Sequence, residues 1–319
     1  MQRNSFFRTP VPVILSGILK ALSALIWILK ILIPVGLGTF MLVQLGIMPH
    51  LEILLRPLMQ PMGLPPAAAL PLIIGMLTNI YGAIAVMVTL PLDTHTLTLI
   101  AIFLLIAHNL IQEGAVQHAT GINGWLITLI RILAATLTVM TVAIWLPPET
   151  TANETSTAIL SRPPFTEAFM AWAWQTFVLS AQILGILLVL MPCLEICKAM
   201  GITSALARIT RPVSILMGIP RSTTILWLTA ILFGLSYGAA VIMEEVKGSD
   251  IAGPDLEKLQ VSIAINHSMV EDPALFLPLG LPAFWLWVPR IITALLFVQL
   301  LRLWQYFHSH TPPHPSSTV

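Results

Sequence analysis

The sequence predicts an all-α, polytopic integral membrane protein made of two related halves. Three observations predict it. The 319 residues include only 15 Lys and Arg and 14 Asp and Glu, so 9% of the chain is charged, against about 25% in ordinary soluble domains. Hydrophobic residues make up 57%, and they fall in runs of about 20 residues, the length that crosses a bilayer as a helix. Short blocks of the first half recur in the same order in the second. So few charges cannot cover a soluble domain of this size, which excludes a soluble enzyme, a nucleic-acid binder and a disordered scaffold. The net charge of +1 offers no basic patch to nucleic acid.

Arg3 and Arg8 precede an apolar run that Lys20 and Lys30 interrupt. No small-residue cleavage site closes that run, so it does not read as a signal peptide. Residues 10–31 read as an interfacial, partly amphipathic helix leading into a first span at 24–47. Further spans are expected at 67–90, 97–117, 122–146, 170–192, 223–243 and 281–303, and 97–117 qualifies despite His108, Asn109 and Glu113. Residues 259–279 carry Asn266, His267, Glu271 and Asp272 and fall short on hydropathy alone. Polar loops are expected at 147–167 and 244–258, with Glu244 and Glu245 as a solvated span end. The first loop contains a formal glycosylation sequon at Asn153. The Pro-, His- and Ser-rich tail 309–319 reads as disordered. Cys193 and Cys197 stand four apart, a poor geometry for a disulfide on a helix. Trp172, Trp174, Trp285 and Trp287 read as an interfacial aromatic belt.

The repeat is the most informative feature. Arg56-Pro57, Met62-Gly63 and Pro65 match Arg211-Pro212, Met217-Gly218 and Pro220 at an offset of 155. Tyr81-Gly82-Ala83 matches Tyr237-Gly238-Ala239 at 156, Asn109 to Glu113 matches His267 to Glu271 at 158, and Arg131-Ile132 matches Arg290-Ile291 at 159. The chain then divides into a first repeat at 1–150, a second at 151–308 and the tail. The repeat marks 259–279 as membrane-embedded because its counterpart 97–117 is plainly apolar, so each repeat holds about four embedded segments.

Charge sets the orientation. Arg3, Arg8, Lys198, Arg208, Arg211 and Arg221 place the N-terminus and loop 193–222 in the cytoplasm. Loops 48–66 and 147–167 then lie outside, equivalent loops face opposite sides, and the repeats are inverted. Inversion needs an odd number of crossings per repeat, so one segment in four is broken or re-entrant. The polar breakers at Thr78 to Gly82, or the Asn/His-x-x-x-Glu segment, are the candidates. Irregular backbone at that depth must line protein or a water-filled cavity, a plan shared by secondary transporters.

The run Met62-Gly63-Leu64-Pro65 through Gly75, then Asn79-Ile80-Tyr81-Gly82-Ala83, resembles the Gate, or nucleoside-recognition, domain. Its copy from Met217 to Ala239 resembles it too. Gate domains occur in the membrane part of the ferrous-iron transporter B family, in concentrative nucleoside transporters and in spore-maturation membrane proteins. The resemblance implies a membrane protein of transporter type. Two features depart from the iron transporters. There is no G-x-x-x-x-G-K-[ST] motif to cradle a nucleotide, and 75–83 and 231–239 lack the gate cysteine.

Ionisable groups at membrane depth cost about 2.5–3.5 kcal/mol each on insertion scales, so they face a bundle interior and have partners. Asn109 with Glu113, and His267 with Glu271, are spaced to share one helix face. The repeat would bring these two faces together, with His108, Asn266 and Asp272 adjacent. Such a set suits a divalent cation, a proton relay, or hydrogen bonding to a small solute. Arg131 and Arg290 are candidate partners of the two glutamates. Asn79, Tyr81 and Tyr237 form a second set beside permissive glycines. No cofactor is expected, no metal is specified, and no catalytic nucleophile with a base stands out. The expected partners are the lipid bilayer and a small solute or ion, with a second copy or another membrane protein also open. The expected function is a multi-pass inner-membrane permease working by alternating access around this site. The alternative is a non-transporting scaffold or accessory subunit.

Overall fold

The computed structural model describes residues 10–47, 50, 56–57, 59–146, 164–221, 223–234, 251 and 253–309. Among the described residues all regular structure is helical. The Asn153 sequon, Tyr237, Gly238, Glu244, Glu245 and most of the tail lie outside them.

Helix α1, Pro10–Gln44, is one continuous helix of 35 residues. It takes in both the stretch expected at 10–31 and most of the first span expected at 24–47. Lys20 is a good helix former and pairs with Glu195 at 2.8 Å without interrupting the helix. Its partner is α7, Phe165–Ala199. The two run antiparallel: Gly17 backs onto Pro192, and Gly36 onto the ring of Trp172. Phe40 completes that end against Phe165, Phe169 and Trp172. Trp172 is therefore packed between helices rather than part of an interfacial belt, while Trp174 is exposed.

The span expected at 67–90 is broken into α2, Ala69–Leu77, and α3, Ile80–Met87, which pack on one another. Neither is long enough to cross a bilayer. Thr78 closes α2 through its hydroxyl on the Ile74 carbonyl at 2.7 Å, and Asn79 opens α3 by capping the Gly82 amide at 3.0 Å. The segment at 97–117 is broken as well, into α4, Thr94–Ala107, and α5, Leu110–Ala119. Asp93 caps α4, and Asn123 caps α6, Gly124–Trp145.

The second half continues with α8 (Ile202–Ile209), α9 (Arg211–Leu216) and α10 (Thr224–Phe233). It ends with α11 (Gly253–Asn266), α12 (Glu271–Phe276) and α13 (Ala283–Ser309). Residues 259–279 are thus helical and broken, as the repeat implies. Adding 159 to the limits of α4 reproduces those of α11.

Helices α4 and α11 form the centre. Every residue from Leu99 to Ala107 and from Leu259 to Asn266 is buried, the signature of a helix enclosed on all sides. Their partners are α6 and α13, which meet each other at a buried Thr138–Thr293 hydroxyl pair 2.6 Å apart. The outer helices expose apolar side chains such as Ile26, Leu129, Leu133 and Leu300, as a lipid-facing surface requires. Among the described residues, five stretches are long and apolar enough to cross a membrane: Val11–Gln44, Thr94–Ala119, Gly124–Trp145, Phe165–Cys197 and Ala283–His308. The protein is an all-α, multi-pass membrane protein.

Candidate functional site

The site forms where the two central helices stop. Helix α4 ends at His108, whose backbone is extended, and Asn109 turns into the left-handed region at φ 49°. The corresponding turn after α11 is Ser268, at φ 50°. These are the two non-glycine positive-φ residues among the described residues. The left-handed form costs roughly 1–2 kcal/mol outside glycine, and such residues persist where their surroundings hold them. Here the neighbouring helix supplies the hold. The Asn109 amide donates to Gly75 O at 2.9 Å, and the Ser268 amide donates to Ala230 O at 3.4 Å.

A broken helix leaves carbonyls without partners, which hydrocarbon does not tolerate. Two arginines supply them. Arg131 donates from Nε to Ile106 O at 2.8 Å and from Nη2 to His108 O at 2.9 Å. Arg290 donates from Nε to Ile265 O and from Nη2 to His267 O, both at 2.5 Å. The bonds correspond one to one at an offset of 159. That register pairs His108 with His267, Asn109 with Ser268, and Glu113 with Asp272. It shifts the block match at offset 158, which set Asn109 against His267 and Glu113 against Glu271, by one residue.

The two histidines therefore meet. Each Nδ1 faces the carbonyl four residues back, Leu104 O at 2.7 Å for His108 and Ile263 O at 3.2 Å for His267. A carbonyl only accepts, so this network assigns the proton to Nδ1 and leaves the Nε2 lone pair facing inward. The two Nε2 atoms stand 3.5 Å apart. Glu113 spans them, with Oε1 3.2 Å from His108 Nε2 and Oε2 3.2 Å from His267 Nε2. Its Oε2 also lies 2.6 Å from Arg131 Nη1. Asp272 Oδ2 approaches His108 Nε2 at 3.7 Å. All five side chains are buried.

The expected arginine–glutamate pairing thus holds on one side. Arg131 pairs with Glu113, whereas Glu271 accepts from the Tyr81 hydroxyl at 3.3 Å. Among the described residues, no ion pair joins Arg290 to a carboxylate. A cavity of about 240 Å³ opens beside the cluster, lined by Trp27, Asn79, Tyr81, Asn109, Glu113 and Glu271 among others. Trp27 meets Tyr81 edge to face across it, with ring centroids 5.7 Å apart. Asn266 is buried at the end of α11 with its Oδ1 unpartnered.

A family model described as "Gate: Nucleoside recognition" matches residues 14–144, the stretch from α1 into α6. The first half of the chain is thus similar to Gate domains. An uncharacterized membrane protein of Bacillus subtilis (strain 168), YvoD, is 29% identical over 277 residues, covering 85% of this chain and 88% of that protein. No solved structure matches.

Several residues of the protein's centre were not legible from hydropathy. Trp27 lines the cavity from a segment without a polar signature, and Gln112 lines it from within the polar Asn109–Glu113 block. Ser268 was masked by the one-residue register slip. Gln117 and Gln260 are fully buried polar residues on α5 and α11. Gln260 donates to Thr120 Oγ1 at 2.7 Å, and both amide atoms of Gln117 lack a protein partner. Gln117 stands four residues after Glu113 on α5, a spacing that could have flagged it. At the corresponding second-half positions, 159 higher, Gln117 and Thr120 give way to Phe276 and Leu279.

Proposed function

We propose that this protein is a permease that moves a small solute or ion by alternating access around the duplicated site at the α4–α5 and α11–α12 breaks. The observation that carries the reading is the convergence of His108, His267 and Glu113 on one buried point beside a cavity. Two helix breaks meeting near mid-membrane are a recurring transporter plan. Ionisable groups at such depth are rarely without a role. In this reading α1, α4 with α5, and α6 make three crossings, and α2 with α3 makes a re-entrant hairpin. Three crossings per repeat invert the second copy. The antiparallel packing of α1 and α7 fits that topology. Rocking one repeat against the other would expose the central site to each side in turn.

The test is uptake into proteoliposomes, screened over nucleosides, amino acids and divalent cations. Glu113→Gln abolishes uptake while the protein remains folded and inserted, and Glu271→Gln reduces it by altering the cavity wall. Full uptake by both variants sinks the site assignment. If no solute is taken up and a stable membrane partner co-purifies, the scaffold reading replaces this one.

A further inference from the structure

We infer that His108, His267 and Glu113 form a binding site for a four-coordinate divalent transition-metal ion of the zinc class. That this ion is the cargo rests on the transport reading above; the site itself does not. The first argument is donor chemistry. With both Nδ1 atoms committed to backbone carbonyls, the Nε2 lone pairs and the Glu113 carboxylate all present electron density to one point. Three acceptors facing each other at 3.2–3.5 Å repel unless a proton or a metal ion lies between them. One ligand atom from each residue falls within 4.8 Å of the others.

The second argument is geometry. Ligand bonds of about 2.0–2.1 Å in a tetrahedral zinc site set neighbouring donors about 3.3 Å apart. An octahedral magnesium ion sets them about 3.0 Å apart and prefers oxygen donors. Two imidazoles and one carboxylate therefore select against magnesium and calcium. The fourth position faces Asp272 and the cavity, where water or a second carboxylate completes the shell. The third argument is the outer shell. A metal-bound histidine usually donates its other ring N–H to a carbonyl or carboxylate, and both histidines do so here.

Arg131 sets the character of the site. Its Nε and Nη2 are tied to Ile106 O and His108 O, so its charge stays beside Glu113 whether or not an ion is present. An incoming ion must share the carboxylate with that guanidinium. This weakens binding relative to a closed structural site and suits an ion that is taken up and released. The cavity is also smaller than the roughly 300–1,000 Å³ that encloses drug-sized ligands, so a partly hydrated ion fits it better than a nucleoside.

The experiment is a cobalt(II) titration of the full-length, chelator-stripped protein in detergent, followed by zinc competition. Expected are one cobalt per chain, the intense visible bands of a tetrahedral ion, and their loss on adding zinc but not magnesium. His108→Gln and His267→Gln each weaken binding by more than the roughly 100-fold cost of losing an outer-shell partner. Octahedral cobalt spectra, or binding unchanged in both variants, overturn the proposal. X-ray absorption on the zinc-loaded wild-type protein needs no variant: two imidazoles in the first shell support the site, and none overturns it. Zinc that binds but never crosses a proteoliposome leaves the site standing and removes the transport reading. Glu113-dependent uptake of another solute, without zinc binding, does the reverse.

Discussion

Replacing Arg131 by Met should destabilise the protein far more than replacing Arg290 by Met, although the two side chains make the same backbone bonds. Each donates to two carbonyls at a helix break, Ile106 and His108 for one, Ile265 and His267 for the other. A hydrogen bond involving a charged group contributes about 1.5–3 kcal/mol, so two such bonds make each loss about 3–6 kcal/mol on the same scale. Arg131 additionally holds Glu113 at 2.6 Å. Removing it leaves a buried carboxylate without its partner, which adds about 3–5 kcal/mol. No ion pair joins Arg290 to a carboxylate among the described residues, so that second cost is smaller, arising from the longer-range attraction between Arg290 and buried Asp272. The gap between the variants should disappear in the double variant Arg131→Met/Glu113→Gln, because a neutral amide no longer needs the guanidinium. Equilibrium unfolding of all four proteins in mixed micelles measures the gap and the coupling. Equal destabilisation by both arginine variants, or no recovery in the double variant, would refute the account of Arg131 as both carbonyl cap and counter-ion.

Three more outcomes follow from packing and polar accounting. A Cβ at Gly17 would meet Pro192 Cα at 2.4 Å, whereas one at Gly38 meets nothing within 4 Å. Gly17→Ala should therefore cost at least the 1–3 kcal/mol typical of overpacking, and Gly38→Ala should leave the thermal midpoint unchanged or higher. Thr138→Val alone strands the Thr293 hydroxyl and should cost about 1–3 kcal/mol, while the double Thr138→Val/Thr293→Val variant recovers most of it; a double-mutant cycle by thermal unfolding checks this. Gln117→Met removes an amide with no protein partner, so it should not lower the thermal midpoint. A clear loss of stability would show that ordered water satisfies that amide.

Much of the fold can be read from the residues themselves. Scarce charge and long apolar runs require a bundle of membrane helices, because burying or exposing that much apolar surface has no soluble solution. Polar residues inside those runs mark the places where helices break: Thr78-Asn79, His108-Asn109 and His267-Ser268 all lie in segments flagged by their Asn, His and Glu content. Of the candidate site residues, Asn79, Tyr81, His108, Asn109, Glu113, His267, Glu271 and Asp272 border one cavity, and Arg131 and Arg290 hold its frame. That much follows from the energetic penalty on ionisable groups in hydrocarbon, a local property of each residue.

The partnerships were decided by tertiary structure. Short apolar blocks fix a repeat only to within a residue, so Glu113 aligned with Glu271 as readily as with Asp272; the left-handed turns and the arginine–carbonyl bonds set the register at 159. Arg290 satisfies backbone rather than a glutamate, and Glu271 turns to a tyrosine 190 residues away. Helix α1 runs unbroken past Lys20, whose ammonium meets a glutamate on α7. Sequence determined which groups must escape lipid, since that depends on each side chain alone. Which groups they escape to depends on what two breaks, far apart in the chain, bring within 3.5 Å of each other.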